Sequence, residues 1–443
     1  MIKKKLGGMK FLAIGYLTVI LVGAILLCLP VSSKDGQWTP FISALFTSTS
    51  ATCVTGLVVY DTVAKWSLFG QVIILLLIQT GGIGFMTIIT MLSMFLKRKI
   101  GLHERKLLME SEGTNRLAGI VVLIKRIVLC TLIFEIAGAL LLSIRFIADF
   151  GLAKGIWYAI FHSISAFCNA GFDLMGASGS LSAYVGDPIV SLTVSLLIIV
   201  GGLGFIVWSD IFDCKGKCKK FSLHTKVVLI TSLILIVVFA ILFFIAESAH
   251  SLSGLTFGEK ILASLFCVIT PRTAGFYTIN PASLTGAGYL ITIFLMFVGG
   301  STGGTAGGVK ITTVVIALFA ICSTLRKDGK LEIGKRRISE SVIIQAFSII
   351  GVYLIVILLA TLIICVAESN AISFTGVLFE VISAIATVGL TVGITSSLGV
   401  VSQVVIILLM FIGRVGAFGL ISSFAEKKDN VPSSRPYGEI YIG

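Results

Sequence analysis

Long apolar runs punctuate this chain at 11–30, 67–96, 117–147, 186–212, 223–247, 284–325 with an interruption, 341–367 and 399–424. Each is long enough for a helix crossing a hydrocarbon core of roughly 30 Å, which needs about 20 residues. Between the members of each successive pair lies a shorter apolar stretch, at 39–51, 154–166, 257–269 and 371–384, of the length expected for a re-entrant helix. Each short stretch runs into a small polar segment that ends in glycine: SATCVTG at Gly56, SAFCNAG at Gly171, ITPRTAG at Gly275 and SAIATVG at Gly389. The four glycines stand 115, 104 and 114 residues apart. The pattern predicts an all-α integral membrane protein built of four tandem helix–pore-loop–helix repeats, with eight transmembrane spans and four re-entrant pore helices around a central pseudo-fourfold pore. The repeats are expected at 1–110, 111–220, 221–337 with a broken second helix, and 338–443 with a cytoplasmic tail.

Composition agrees with the membrane reading. Hydrophobic residues make up 56% and charged residues 12%, and the mean hydropathy is +1.07, which no water-soluble domain of this size carries without large exposed apolar patches. The net charge of +13 gathers in short clusters: Lys3, Lys4, Lys5 and Lys10, then Lys97 through Lys106, Lys215 through Lys220, and Arg326 through Arg337. These border the repeat ends, whereas the linkers within repeats are poor in Lys and Arg, so both termini are expected in the cytoplasm and the pore helices enter from outside. Charge divided among short loops does not make a nucleic-acid surface, and anionic membrane lipid or an acidic partner is its secondary use. The first apolar run is too long for a signal-peptide core, and its removal would strip repeat one of its first helix. Nine cysteines scattered through spans and pore segments indicate no disulfide framework, and Cys214 and Cys218 lack partners for zinc.

The candidate chemistry lies in the four glycine segments: Thr52, Cys53, Val54, Thr55 and Gly56; Phe167, Cys168, Asn169, Ala170 and Gly171; Pro271, Arg272, Thr273, Ala274 and Gly275; Ile385, Ala386, Thr387, Val388 and Gly389. The positions beside the glycines are neutral, so there is neither the carboxylate ring of a divalent-cation site nor the basic ring of an anion site. The shared ligands are backbone carbonyls, which solvate a monovalent cation, and the pore helices would point their partly negative C-terminal ends at the same place. Glycine supplies backbone angles closed to residues with a Cβ. The alternative is that each glycine only caps its pore helix.

The interruption of the sixth span reads GGSTGGTAGG, with Gly299, Gly300, Ser301, Thr302, Gly303, Gly304, Thr305, Ala306, Gly307 and Gly308 followed by Val309 and Lys310. At about 1 kcal/mol per glycine relative to alanine, the stretch is expected to unwind and to serve as a gate. A continuous helix using GxxxG spacing for close packing is the competing reading, and a phosphate-binding loop is excluded because GK[ST] is missing. Arg414 lies inside the eighth span at the position that Gly82, Gly202 and Gly300 hold in the other repeats, and is expected to contact the loop and repel cations electrostatically. Glu135, His162 and Glu380 within the apolar stretches are read as packing or hydrogen-bonding residues, and Asp61, Asp173 and Asp187 as outer charges open to a role in attracting cations.

These segments, with TPRTAGF at 270–276, LIQTGGIGFMT at 77–87, VGDP at 185–188, FSLHTK at 221–226 and FIGRVG at 411–416, resemble the Trk/Ktr/HKT superfamily of potassium transporters over essentially the whole chain. The resemblance implies K⁺ uptake across a bacterial plasma membrane through a selectivity filter, with the loop at 299–310 and Arg414 as the intramembrane gate. It also implies a homodimer on an octameric cytoplasmic ring of RCK subunits (KtrA/KtrC type) that binds ATP or ADP, with Na⁺ a candidate activator and no nucleotide held by this chain. The loops at 97–116, 214–222 and 326–338 are the expected docking surface for the ring, and the tail at 434–443 for a second protomer or the ring. No catalytic constellation is present, so an enzyme is not expected. Coupled transport of K⁺ with Na⁺ or H⁺ is the alternative function.

Overall fold

The computed structural model describes residues 8–96, 101–111, 119–176, 179–326, 331–334, 336–368 and 372–416. The basic positions Lys3 to Lys5, parts of the two loops at 97–116 and 326–338, and the tail at 434–443 lie outside them. The regular structure of the described residues is helical apart from a ladder of two short strands, Glu332–Ile333 against Arg336–Arg337.

Every repeat has the expected order. The first helices are Gly8–Cys28, Ile120–Phe150, Leu223–Glu247 and Glu340–Ala367, and each is long and apolar enough to cross a membrane. The pore helices are Phe41–Thr52, Leu152–Phe167, Phe257–Ile269 and Phe374–Ile385. On the first helix of repeat two, Leu129, Ile133, Ile136, Leu140 and Ile144 form an exposed stripe at helical spacing, while Ile124, Thr131, Gly138 and Leu142 turn inward. Apolar exposure of that extent belongs against lipid. Gly8–Cys28 is part of the fold: Ser48 Oγ of pore helix one donates to Ile20 O at 2.7 Å.

The second helices depart from the expected straight spans. In repeats one and two they break at Gly84 and Gly204, so Leu68–Ile83 and Phe85–Met91 meet at 96°, and Pro188–Gly202 and Phe205–Asp213 at 88°. Gly84 and Gly204 carry φ of +94° and +90°, a conformation that ends a right-handed helix and that a residue with a Cβ resists. Gly416 stands at the same register after Val400–Val415, with φ +95°. The continuous spans expected at 67–96 and 186–212 are therefore corrected to bent pairs; the last part of the span expected at 399–424 lies outside the described residues. In repeat three the helix stops at Phe297 and resumes at Ile311, so the stretch between is unwound and the continuous-helix alternative is overturned.

Helix starts are written in local chemistry. The second helices begin at caps in which Ser67 accepts from Gly70 N at 3.3 Å, Asp187 from Ile189 N at 2.9 Å and Thr285 from Gly288 N at 3.2 Å. In repeat four the Glu368 carboxylate takes that part, accepting from Gly399 N at 2.9 Å.

Second helices press glycine directly on pore helices. A Cβ on Gly81, Gly201 or Gly413 would collide with the carbonyl oxygen of Thr52, Phe167 or Ile385, the residue four before the motif glycine of its repeat. This contact sets the depth of three pore helices. Gly201→Ala is expected to lower the thermal midpoint of the detergent-solubilised protein, by an overpacking cost of about 1–3 kcal/mol. Gly286→Ala, where nothing lies within 4 Å of the added Cβ, leaves it unchanged.

Candidate functional site

The pore helices end in a repeated backbone device. Cys53, Cys168 and Ala386 cap them in right-handed conformation, and the next residues, Val54, Asn169 and Thr387, are left-handed with φ of 58°, 59° and 52°. In repeat three Thr273 does the same at 74°. Two residues on, Gly56, Gly171, Gly275 and Gly389 are left-handed again, at 95°, 68°, 83° and 90°. Among the described residues only six non-glycines have positive φ; four are these, and three of the four are β-branched, for which that conformation is a true outlier. Strain so concentrated marks a site. Alternation of hand is a backbone pattern able to set successive carbonyls along one face, where a strand alternates them. The capping alternative fails on position, since the residue after each cap, where a capping glycine stands, is Val54, Asn169, Thr387 or, after Thr270 in repeat three, Pro271.

The four segments close into a ring. A Cβ on Gly56 would stand 2.6 Å from Ala170 O and 3.0 Å from Gly171 Cα; on Gly171, 2.7 Å from Ala274 O and 3.0 Å from Gly275 Cα. On Gly275 it would stand 2.5 Å from Val388 O and 3.3 Å from Gly389 Cα, and on Gly389 it would strike Thr55 O, 2.9 Å from Gly56 Cα. Each repeat thus meets the next, and the fourth meets the first. No side chain fits between them.

Hydroxyls behind the ring hold its shape. Ser50 Oγ accepts from Gly56 N and Ser383 Oγ from Gly389 N, both at 3.0 Å. Ser165 Oγ donates to Phe172 O at 2.7 Å, and Thr270 Oγ1 donates to Phe276 O. Three of these serines open the repeated motif; their place at its head is the signal that could have identified them, yet sequence reasoning gave them no role. The third repeat is tighter: Ala274 N bonds Thr270 O, a span of four residues, where Thr55, Ala170 and Val388 reach back five to Ser50, Ser165 and Ser383.

Below the ring lies the glycine-rich segment. Gly299 N bonds Val309 O at 2.9 Å and Ile311 N bonds Gly300 O at 3.1 Å, so the segment closes on itself. Ser301 N reaches Gly202 O at 3.0 Å, and Phe205 N reaches Gly303 O at 2.7 Å, which seats it on the break in repeat two. A Cβ on Gly307 would strike Thr387 Oγ1, and one on Gly308 would stand 3.3 Å from Ala386 Cβ, so this strand runs directly against the fourth pore segment. Arg414 donates from Nη1 to Thr305 O and from Nη2 to Gly81 O, bridging the segment to repeat one. Lys310 Nζ donates to Ala306 O at 2.6 Å and Gly307 O at 3.3 Å. A cavity of about 240 Å³ opens beside these cations, lined by Gly82, Gly84, Thr302, Gly304, Lys310 and Arg414 among others.

The other ionisable residues singled out in the sequence are held by hydrogen bonds. Gln79 Nε2 donates to Glu135 at 3.1 Å, His162 bonds Tyr158 O at 2.7 Å and accepts from Leu174 N at 3.3 Å, and Glu380 accepts from Thr395 Oγ1. Each is a strut, as its hydrogen bonds indicate. Asp61 and Asp187 cap helices, Asp187 also pairing with Arg145 at 2.9 Å, and Asp173 accepts from Met175 N at 3.0 Å.

Known proteins share this design. The model of a family described as cation transport protein, TrkH, matches residues 17–433. The potassium/sodium uptake protein NtpJ of Enterococcus hirae is 40% identical over 443 residues, covering 99% of this chain and 97% of that protein. The Ktr system potassium uptake protein B of Bacillus subtilis is 39% identical over 436 residues, covering 98% and 96%. The crystal structure of the potassium transporter TrkH from Vibrio parahaemolyticus superposes with a TM-score of 0.77 at 18% identity, over 96% of this chain and 86% of that one, a likeness of fold. A chain of four helix–pore-loop–helix repeats, matched along nearly its whole length, therefore belongs to the TrkH family of membrane cation transport proteins.

Proposed function

We propose that the chain takes up K⁺ across the plasma membrane, driven by the membrane potential, through a selectivity filter lined by the carbonyls of Thr52–Gly56, Phe167–Gly171, Pro271–Gly275 and Ile385–Gly389. The observation that carries this reading is the closed ring of four left-handed glycines, each against the carbonyl of the next repeat. A ring of neutral carbonyls replaces the hydration shell of a monovalent cation without the charge that would trap it. Of the relatives, one is named a potassium/sodium uptake protein and the other a potassium uptake protein, and K⁺ is the ion common to both names. Four units of one orientation, with boundaries near residues 110, 220 and 337, fit a pore better than a rocking carrier.

The segment at 299–310 is the gate in this reading. In that role it lies across the path beneath the fourth pore segment, and Arg414 and Lys310 fasten it by hydrogen bonds to carbonyls, with the Arg414 guanidinium placing a positive charge beside the passage. In this reading the regulator is a separate subunit: a homodimer on a cytoplasmic RCK ring responsive to ATP or ADP fits the name of a Ktr system relative and the basic loops. Na⁺ as activator, both termini in the cytoplasm and anionic lipid contact complete the proposal.

Two measurements test it. In liposomes without a coupling-ion gradient, Rb⁺ uptake by the purified protein is expected, and Gly56→Ser or Gly389→Ser should reduce K⁺-selective uptake by about tenfold or more, since a left-handed non-glycine costs roughly 1–2 kcal/mol before any clash. Uptake by both variants at the wild-type rate and selectivity contradicts the filter. Arg414→Ala removes hydrogen bonds from a charged group worth about 1.5–3 kcal/mol and should raise basal flux roughly tenfold; an unchanged basal flux contradicts the gate.

A further inference from the structure

Resting on the filter and gate just proposed, we infer that Arg272 is a positioning residue that braces the third filter segment against the first helix of its own repeat, so that the gate can move without deforming the filter. The three other repeats brace the end of the pore helix with a glycine of the second helix: Gly81 on Thr52 O, Gly201 on Phe167 O and Gly413 on Ile385 O. Repeat three has lost that brace. Its glycine of the same register, Gly299, has Gly307 and Gly308 as nearest neighbours, because the second helix has already ended at Phe297 and the gate segment has begun. A chamber of about 10 Å³ remains on that side, between Gly202, Ile198, Ile199, Ile269, Gly300 and Arg272.

Arg272 occupies the position that Cys53, Cys168 and Ala386 hold in the other segments. It is only 5% exposed, and among the described residues no carboxylate pairs with it. Its Nη2 donates to Ser232 Oγ at 3.0 Å, in the helix Leu223–Glu247, while Nε has no protein partner. A buried arginine at membrane depth is retained where it has work to do, and its side-chain bond goes to a continuous helix rather than to the gate segment itself. Pro271, which lacks an N–H, and the four-residue reach of Ala274 N to Thr270 O make this segment the one that departs from the common geometry. The brace and the departure occur together in the repeat whose second helix is given over to the gate.

The test is the K⁺-over-Na⁺ permeability ratio of the reconstituted full chain for Arg272→Gln, Ser232→Ala, the double variant, Ser232→Thr and Gly275→Ser. We expect Arg272→Gln and Ser232→Ala each to lower the ratio by about tenfold, the loss of a hydrogen bond to a charged group. The double variant should be no worse than either single one, and Ser232→Thr should retain the wild-type ratio. Should Arg272→Gln fail to fold, Ser232→Ala alone decides, since it removes one hydroxyl and leaves the charge. If Gly275→Ser shifts the ratio while Ser232→Ala does not, the brace is wrong and the filter stands; if Gly275→Ser also leaves it unchanged, the filter reading falls and the brace with it.

Discussion

A left-handed backbone at Val54, Asn169, Thr273 and Thr387, held inside a membrane protein, is the constraint on which the rest of the structure depends. Such residues cost roughly 1–3 kcal/mol each, and extended backbone is tolerated at membrane depth only where protein or a water-filled passage satisfies it. The surroundings supply both conditions. Pore helices deliver the segments with their C-terminal ends inward, the hydroxyls of Ser50, Ser165, Thr270 and Ser383 hold the turns from behind, and neighbouring repeats close on each other at glycines that leave no space for a side chain. In the proposed filter the carbonyls then turn toward the axis for a partner.

Around that near-fourfold centre the chain breaks its symmetry below the ring. At one register the second helices carry Gly82, Gly202, Gly300 and Arg414. In repeats one and two the helix turns aside at Gly84 and Gly204 by about a right angle, in repeat three it dissolves into the segment at 299–310, and in repeat four it carries a cation that ties that segment to repeat one. This asymmetry beneath four like pore segments is what the proposed single gate element requires. The same asymmetry removes the glycine brace from the third pore segment, where Arg272 takes a different anchor.

Much of this was legible in the sequence because it rests on local requirements. The glycine motifs mark the ring since the backbone there excludes a Cβ, the hydropathy runs place the pore helices within three residues, and the glycine density of 299–310 foretells an unwound stretch. Arg414 could be placed by register alone, and Gly413 pressing on Ile385 O as Gly81 presses on Thr52 O bears that register out. What escaped was non-local or one residue wide. The breaks at Gly84 and Gly204 sit in unbroken apolar runs, where a single glycine reads as a tolerated helix residue and only its positive φ reveals the turn. The motif serines and Arg272 look like ordinary members of a pattern; their roles depend on which way a side chain points, and that is decided by packing between elements distant in the chain.

The most direct measurement of the central claim is anomalous diffraction from a crystal of the protein soaked in Rb⁺ in place of K⁺. The account predicts an anomalous peak on the central axis, level with the carbonyls of Thr55, Ala170, Ala274 and Val388 and within coordinating distance of all four segments. An axis free of anomalous density at that level, with Rb⁺ instead held off-axis by side chains, would contradict it.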